Sequence, residues 1–88
     1  MALLDLLGRR MTLRVVWELG AGELTFRELV EAAETNPSVL NTRLRELREA
    51  GIVRHEAGKG YALSTRGLQL LEALAPLDAW SRTWKARA

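Results

Sequence analysis

The sequence predicts a mainly α-helical domain with one small β-hairpin. Through most of the 88 residues, apolar side chains recur every three or four positions, which is the spacing of a helix with one buried face. The spacing changes after Gly51, where the short runs 52–56 and 61–63 have strand character and enclose the sequence Ala-Gly-Lys-Gly. The glycines of this segment, Gly58 and Gly60, can supply the positive φ that a hairpin turn needs.

The most clearly marked helix is predicted for residues 37–50. Asn36 can accept a hydrogen bond from a backbone amide at the helix start, and Pro37 has the φ of the first helical position. Gly51 can end the helix in the left-handed conformation. Helical spacing gives this segment a buried side made of Leu40, Leu44 and Leu47. The other sides carry small polar and arginine side chains: Ser38, Asn41, Thr42, Arg45 and Arg48.

Two helices are predicted before it. The first covers about residues 2–19, loosened at Gly8, and its apolar face consists of Leu13, Val16 and Trp17. The second covers about residues 26–33 and begins with a capping box formed by Thr25 and Glu28. Its apolar side consists of Phe26, Leu29 and Val30.

A last helix follows the hairpin and is capped by Ser64. Pro76 lacks the amide that a helix interior uses, so we expect a kink or a break into two helices near Ala75. Before the second helix, residues 24–25 are a candidate for a very short strand.

The predicted order is helix, helix, helix, hairpin, helix, with about three residues joining the second and third helices. Two helices joined by a tight turn and followed by a hairpin form a winged helix-turn-helix, a three-helix core with a wing. A chain of this length holds one domain, here residues 1–88. In this fold the segment 37–50 is the recognition helix, which suits the major groove of DNA.

Composition excludes several kinds of site. The sequence has no cysteine, which excludes disulfides, cysteine nucleophiles and thiolate-bound zinc. His55 is the single histidine, so no imidazole cluster exists for a metal or a general base. We expect His55 to be exposed and to have no catalytic role. We therefore predict no catalytic residue, no metal and no cofactor. Neither a signal peptide nor a membrane span is visible, and a cytoplasmic protein is expected.

Charge is distributed unevenly although the net charge is only +2. Residues 23–34 carry four glutamates and one arginine, whereas basic residues cluster in three other segments. These basic clusters are Arg9, Arg10 and Arg14, then Arg43, Arg45, Arg48, Arg54 and Lys59, then Arg82, Lys85 and Arg87. Such clustering indicates a polyanion partner, but mixed charge is also typical of an ordinary solvated helix face.

If the recognition helix enters a major groove, the chemistry of each outward side chain indicates whether it contacts a base or a phosphate. Asn41 suits adenine and Arg45 suits guanine, because each can form two hydrogen bonds to a base edge. Ser38, with the free amides at the helix start, suits a phosphate. Arg43 either contacts phosphate from the flank or pairs with a glutamate. On the hairpin, Arg54, His55 and Lys59 are candidates for phosphate contacts.

Sequence motifs along residues 8–80 resemble the HxlR family of bacterial winged-helix transcriptional regulators, which is close to the MarR-type proteins. The motifs are Met11-Thr12-Leu13, Trp17-Glu18-Leu19, and the segments 25–29, 36–47, 51–53 and 61–67. The resemblance implies a homodimer on a palindromic operator, with the third helix in the major groove. It also implies groove-facing positions, which are Ser38, Val39, Asn41, Thr42 and Arg45.

The sequence departs from the family in two respects. The usual N-terminal cysteine, with which some members sense electrophiles or oxidants, is missing, so that mode of sensing is chemically impossible. The wing between Arg54 and Tyr61 is shorter than the family's and lacks its prolines, which weakens the expectation of wing contacts.

Apolar residues near both ends exceed what a small monomer readily buries. Residues 1–20 and 65–88 are therefore predicted to serve also as dimerisation helices, with an interface formed by Leu3, Leu7, Leu70, Leu74, Leu77, Trp80 and Trp84. Packing of the terminal helices within one chain is the alternative. Two-fold symmetry would place two recognition helices about 34–36 Å apart, one turn of DNA.

The sequence thus predicts a homodimeric regulator that binds double-stranded DNA and acts as a repressor. A small-molecule effector near the interface is compatible with the pattern, although no residue identifies one. A winged helix that docks on another protein without binding DNA is the alternative, because the net charge is low. An enzyme is a distant third hypothesis.

Overall fold

A computed structural model describes residues 2–84 as five helices and one two-stranded antiparallel hairpin. The elements are α1 (Ala2–Leu7), α2 (Thr12–Leu19), α3 (Phe26–Ala32), α4 (Pro37–Glu49), β1 (Val53–His55), β2 (Tyr61–Leu63) and α5 (Thr65–Trp84). The predicted fold class, mainly helical with a small hairpin, is confirmed. The ends of both predicted dimerisation segments, Met1 and residues 85–88 with Lys85 and Arg87, lie outside the described residues.

Helix α4 begins and ends as its sequence predicts. The side-chain oxygen of Asn36 accepts a hydrogen bond of 2.9 Å from the amide of Val39, and Pro37 occupies the first helical position. Gly51 has a φ of 77°. The amide of Ile52 donates to the carbonyl of Leu47 at 2.9 Å, which completes a Schellman cap. Both ends of α4 are therefore fixed by local signals.

The core holds α4 by one face. Leu40, Leu44 and Leu47 are at most 2% exposed. They belong to a cluster with residues of α2, α3 and the hairpin region: Val15, Val16, Leu19, Leu29, Ile52, Val53 and Leu63. Burying a leucine side chain contributes about 1.5–3 kcal/mol. This packing determines which side of α4 points outward.

The predicted first helix is two helices, which corrects the expectation of one helix over residues 2–19. The chain breaks between Leu7 and Thr12, where Met11 adopts a positive φ of 72°. The break leaves the carbonyl of Arg10 free to accept a hydrogen bond of 2.8 Å from Nε of Arg43 on α4. In a continuous helix that carbonyl would bond to the amide of Arg14 instead.

The apolar face predicted for this region also needs correction. In α2 the buried residues are Thr12, Val15, Val16 and Leu19. Leu13 is half-buried and Trp17 is exposed, and the two line one groove with residues of α5, so the fully buried face of α2 is shifted from the predicted one. The break is the physical reason, because it lets α2 adopt its own orientation on the core.

Helix α3 has the predicted capping box. The amide of Glu28 donates to Oγ1 of Thr25 at 3.1 Å, and the amide of Thr25 donates to Oε1 of Glu28 at 2.8 Å. The candidate strand at residues 24–25 is present as a single bridge, in which Leu24 pairs with Tyr61. The second helix of the sequence prediction is thus confirmed, together with its start signal.

The hairpin pairs Val53 with Leu63 and His55 with Tyr61. Gly58 has the predicted positive φ of 77°, but Gly60 does not. Gly60 is required for another reason: a Cβ there would lie 2.4 Å from the carbonyl oxygen of Leu24. The prediction that both glycines supply a positive φ is therefore wrong for Gly60, whose role is close packing.

Helix α5 starts at the predicted cap, where Oγ of Ser64 accepts a hydrogen bond of 3.1 Å from the amide of Gly67. It runs to Trp84 as one helix with Pro76 inside, so the predicted alternative of a break into two helices near Ala75 is wrong, while a kink there stays a prediction. Proline removes one backbone bond, to the carbonyl four residues earlier at Glu72. Both Glu72 and Pro76 are exposed, so water can satisfy that carbonyl. Between residues 2 and 84, no helix combines the length and apolar character needed to span a bilayer.

Replacing Leu40 by alanine should lower the free energy of unfolding by about 2–5 kcal/mol, since it leaves a cavity under α4. Leu68→Ala is the matched control, because that leucine is 51% exposed. Urea denaturation of both variants measures the difference. Equal losses would contradict the packing of α4 described above.

Candidate nucleic-acid interface

The outward surface of α4 contains most of the predicted contact residues. Ser38, Asn41 and Arg45 are exposed, while Val39 and Thr42 are half-buried. Oγ1 of Thr42 donates to the carbonyl of Ser38 at 3.2 Å, so its hydroxyl proton is used within the helix and its oxygen can still accept. The structure therefore brings these five predicted groove-facing residues together on one helix.

Arg43 lies on the flank of α4 and is bound within the protein. Its Nη1 contacts Oε1 of Glu46 at 2.6 Å, and the two side chains are 18% and 17% exposed. Glu46 also pairs with Arg9 from the turn before α2. Of the two roles predicted for Arg43, the glutamate pair is present. A phosphate contact by Arg43 stays a prediction.

The environment of Glu46 favours its charged form. Desolvation by itself raises the pKa of this carboxyl, but the hydrogen bond and charge of Arg43, followed by those of Arg9, outweigh it, and the pKa is lowered overall. Glu46 thus stays ionised and joins α4 to the turn before α2. Two arginine charges are thereby partly neutralised beside the recognition helix.

Several arginines of the other helices are paired with carboxylates, but those on the outward side of α4 are not. Arg14 pairs with Glu18 at 2.8 Å and Arg82 with Asp78 at 2.8 Å. Within residues 2–84, no carboxylate forms an ion pair with Arg45 or Arg48. Arg10, Arg27 and Arg66 are also outside the ion pairs of residues 2–84, but α4 is the helix of this part of the chain that carries two such arginines.

The hairpin tip carries the two predicted cations with one carboxylate between them. Glu56 lies 3.2 Å from Arg54 and 3.7 Å from Lys59. All three side chains are exposed. At the base of the tip, the ring of His55 stacks on Tyr61 with 4.1 Å between ring centroids. The wing thus presents less free positive charge than α4.

A groove that sequence reasoning missed lies between α4 and β1. It is lined by Arg45, Arg48, Glu49, Val53, Arg54 and His55 and has a volume of about 540 Å³. The prediction placed Arg45 and Arg48 on the recognition helix and Arg54 and His55 on the hairpin, and it did not bring the two pairs together. One signal was available: only residues 50–52 separate α4 from β1, so the strand must begin beside the end of the helix.

The predicted dimer surface is largely uncovered in the single chain. Leu77, Trp80 and Trp84 on α5 are 52%, 59% and 61% exposed, and Leu3 on α1 is also exposed. The remaining predicted interface residues, Leu7, Leu70 and Leu74, are half-buried. Packing within the chain therefore uses only part of this apolar surface.

A core-anchored helix that follows another helix after a short turn, with a hairpin beside it, defines a winged helix-turn-helix protein. Its outward helix face carries polar and basic side chains, as a DNA-binding member of this class needs. The chain belongs to the HxlR-like helix-turn-helix family, whose family model matches residues 6–88.

Solved structures agree with this assignment. A possible HxlR family transcriptional factor from Thermoplasma volcanium superposes with a TM-score of 0.88 at 25% identity, covering 94% of this chain and 81% of that one. Quinone-bound YodB from B. subtilis superposes with a TM-score of 0.84 at 26% identity, covering 93% of this chain and 92% of that one. The transcriptional repressor BigR from Xylella fastidiosa superposes with a TM-score of 0.76 at 30% identity, covering 91% of this chain and 83% of that one.

No curated protein matches the sequence. The family and these structures nevertheless establish the class: the chain is a DNA-binding transcriptional regulator of the HxlR type.

Glu46→Gln should destabilise the protein at pH 7, because the lowered pKa of Glu46 in the folded state contributes stability when the carboxyl is ionised. That contribution is present above the ordinary glutamate pKa of about 4.3 and is lost as the pH falls through and below it. The difference in free energy of unfolding between wild type and Glu46→Gln should therefore become smaller at acidic pH. Urea unfolding at neutral and acidic pH measures it, with the exposed Glu49→Gln as control. A difference in free energy of unfolding that does not change with pH would contradict a stabilising role of the ionised Glu46 carboxyl.

Proposed function

We propose that this regulator binds a palindromic operator in double-stranded DNA as a homodimer, with α4 of each subunit in the major groove. The observation that carries the proposal is the outward side of α4, where exposed Arg45 and Arg48 pair with no carboxylate within residues 2–84. Because the leucines beneath them are buried, these side chains are held on a fixed helix. Little reorganisation is then needed for binding.

The residues of α4 divide into base contacts and phosphate contacts. Asn41 reads adenine and Arg45 reads guanine, each through two hydrogen bonds. Val39 and Thr42 complete the groove-facing surface. At the helix start, Pro37 has no amide and Asn36 occupies the amide of Val39, which leaves the amide of Ser38 for a phosphate.

Cations on the flank and on the wing contribute phosphate contacts. Arg54 and Lys59 share Glu56, so a phosphate must compete with that carboxylate for them. Arg43 contacts phosphate only after giving up part of its bonding to Glu46 and Arg10. We therefore assign the larger contribution to α4 and a smaller one to these three residues.

Dimerisation follows from the apolar stripe on α5. Leu77, Trp80 and Trp84 are more than half exposed, and removing such surface from water stabilises an assembly by about 25 cal/mol per Å². Leu3 and Leu70 line one groove, which extends the surface from α5 to α1. A two-fold contact through these residues, with Leu7 and Leu74, gives two recognition helices for two half-sites.

Repression by promoter occlusion is the regulatory outcome that we propose, supported by the likeness to the repressor BigR. A small-molecule effector would bind in the groove between α2 and α5, which has a volume of about 410 Å³ and is lined partly by the proposed dimer helix. Its lining consists of four apolar side chains, Leu13, Trp17, Leu74 and Leu77, and three polar ones, Arg14, Asp78 and Ser81.

Selection of bound DNA from a random pool tests the function directly. We expect an enriched palindrome whose half-sites are one helical turn apart, bound more weakly at high salt because of counterion release. Gel shifts at two salt concentrations then measure the affinity. Failure to bind any DNA at low salt would overturn the proposal in favour of a protein-docking module.

Arg45→Ala should reduce discrimination at one base pair per half-site by about 1–3 kcal/mol, because the two hydrogen bonds to a base edge are removed. Gel shifts against every single-base variant of the selected site measure this. Arg82→Ala, which removes an arginine paired with Asp78 on α5, should leave discrimination unchanged. Uniform weakening across all variants would show instead that Arg45 contacts phosphate.

Trp80→Glu should convert the dimer to a monomer, since it places a charge in the proposed apolar interface. Sedimentation velocity measures the assembly state, and operator affinity should fall along with dimerisation. Ala79→Glu adds the same charge at an exposed position on another side of α5 and should remain dimeric. A dimeric Trp80→Glu protein would refute this interface.

A further inference from the structure

The turn between α3 and α4 contains a residue in an unfavourable backbone conformation. Residues 33–36 join the two helices, and Glu34 among them has a positive φ of 53°. This region brings Cβ close to the following carbonyl oxygen, which costs free energy for residues other than glycine. At the equivalent point after α4 the chain has Gly51, with a φ of 77°. The turn after α3 is therefore strained where the end of α4 is not.

Two backbone hydrogen bonds close the end of α3 and leave one carbonyl open. The amide of Thr35 donates to the carbonyl of Val30 at 3.2 Å. The amide of Glu34 donates to the carbonyl of Glu31 at 3.2 Å, which completes a Schellman cap. The carbonyl of Ala32 lies at the same helix end and accepts neither bond. Carbonyls in the last turn of a helix need donors from outside the helix.

Arg14 on α2 supplies that donor. Its Nη2 donates to the carbonyl of Ala32 at 2.8 Å and lies 3.4 Å from a carboxylate oxygen of Glu34. Its Nε donates to Glu18, one turn further along α2, at 2.8 Å, which orients the guanidinium group. Val15, the next residue in the chain, is fully buried, so the backbone of α2 is fixed at this point. One side chain thus connects α2 to the end of α3 and to the strained residue.

The strained turn leads directly into the recognition helix. Thr35 alone separates Glu34 from Asn36, the N-cap of α4. The fully buried leucines of α4 begin at Leu40, so the first turn of the helix depends on the chain that precedes it. If Glu34 relaxed to a negative φ, the backbone after it would change direction and the start of α4 would move. The side chains displaced first would be those at the start of the proposed DNA-contacting surface.

Arg14 itself lies away from the outward side of α4. It lines the groove between α2 and α5, whereas Arg45 and Arg48 line the groove beside β1. We propose that Arg14 is a positioning residue for operator binding, which holds the turn between α3 and α4 in its strained form and thereby sets the first turn of the recognition helix. This inference rests on the proposed DNA-binding function.

Operator titrations of Arg14→Ala test this role. We expect several-fold weaker binding, because the start of α4 is no longer held in place. The slope of log affinity against log salt should stay unchanged, since no phosphate contact is lost. Arg82→Ala is the matched control: Arg82 forms the same kind of pair, with Asp78 at 2.8 Å four residues away, and its loss should leave affinity unchanged. Circular dichroism checks folding of each variant.

Glu34→Gly tests whether the effect of Arg14 passes through the turn. Glycine adopts a positive φ without strain, so the turn then no longer needs the contact with Arg14. The double variant of Arg14→Ala with Glu34→Gly should bind the operator nearly as tightly as wild type, and Glu34→Gly alone should change affinity little. Arg14→Met, which keeps a long side chain without donors, replaces Arg14→Ala if that variant unfolds.

Amide hydrogen exchange measures the turn in the absence of DNA. In Arg14→Ala the amides of Thr35 and Val39, which close the end of α3 and the start of α4, should exchange several-fold faster than in wild type. The amide of Tyr61, which donates to the carbonyl of Leu24, should be unaffected. Equal acceleration at Tyr61 would show general destabilisation and would overturn a specific role of Arg14 at the turn.

The outcomes separate the inference from the proposed function. Tight operator binding by wild type with an unchanged Arg14→Ala variant would overturn the role of Arg14 and leave DNA binding intact. A shallower salt slope would also overturn it, because Arg14 would then contact a phosphate. So would weakened binding that Glu34→Gly does not restore, because the effect would bypass the turn. Absence of any DNA binding by wild type would overturn both proposals, and the exchange rates would still show whether Arg14 holds the turn.

Discussion

Burial of one face of α4 is the constraint on which the rest of the molecule depends. Leu40, Leu44 and Leu47 are packed against α2, α3 and the hairpin region, and they fix the rotation of α4 about its own axis. A rotated α4 would expose leucine and bury arginine, and both changes are costly. The same contacts place β1 beside the end of α4, because only a short segment through Gly51 joins them. Core packing thus determines both the outward helix face and the adjacent groove.

A polar network fixes the opposite flank of α4. Glu46 contacts Arg43 within the helix and Arg9 in the turn after α1, and Arg43 also reaches the carbonyl of Arg10. Helix α1, as described over Ala2–Leu7, has no fully buried residue, so packing alone attaches it weakly to the core. These bonds therefore connect the first proposed dimer element to the recognition helix. In the proposed dimer, the position of α4 relative to the partner would depend on these bonds as well as on the leucines.

Features controlled by neighbouring residues could be predicted from the sequence, and features controlled by distant ones could not. Asn36, Gly51 and the pair Thr25 and Glu28 act within a few residues, so the limits of α3 and α4 follow from local chemistry. The break before Thr12 is accompanied by a bond between residues 10 and 43, which no local pattern contains. In the candidate site, helical spacing predicted the outward residues. The groove required the packing of two elements, which spacing does not describe.

The low net charge of +2 does not argue against a DNA partner once the pairing of charges is known. Carboxylates elsewhere neutralise arginines such as Arg14 and Arg82, which lie on α2 and α5. Arg45 and Arg48 keep their charge on the surface that DNA would approach. At physiological salt a charge is screened beyond about 8 Å, so a phosphate responds to the nearest side chains rather than to the whole chain. Local imbalance on α4 is therefore the relevant quantity.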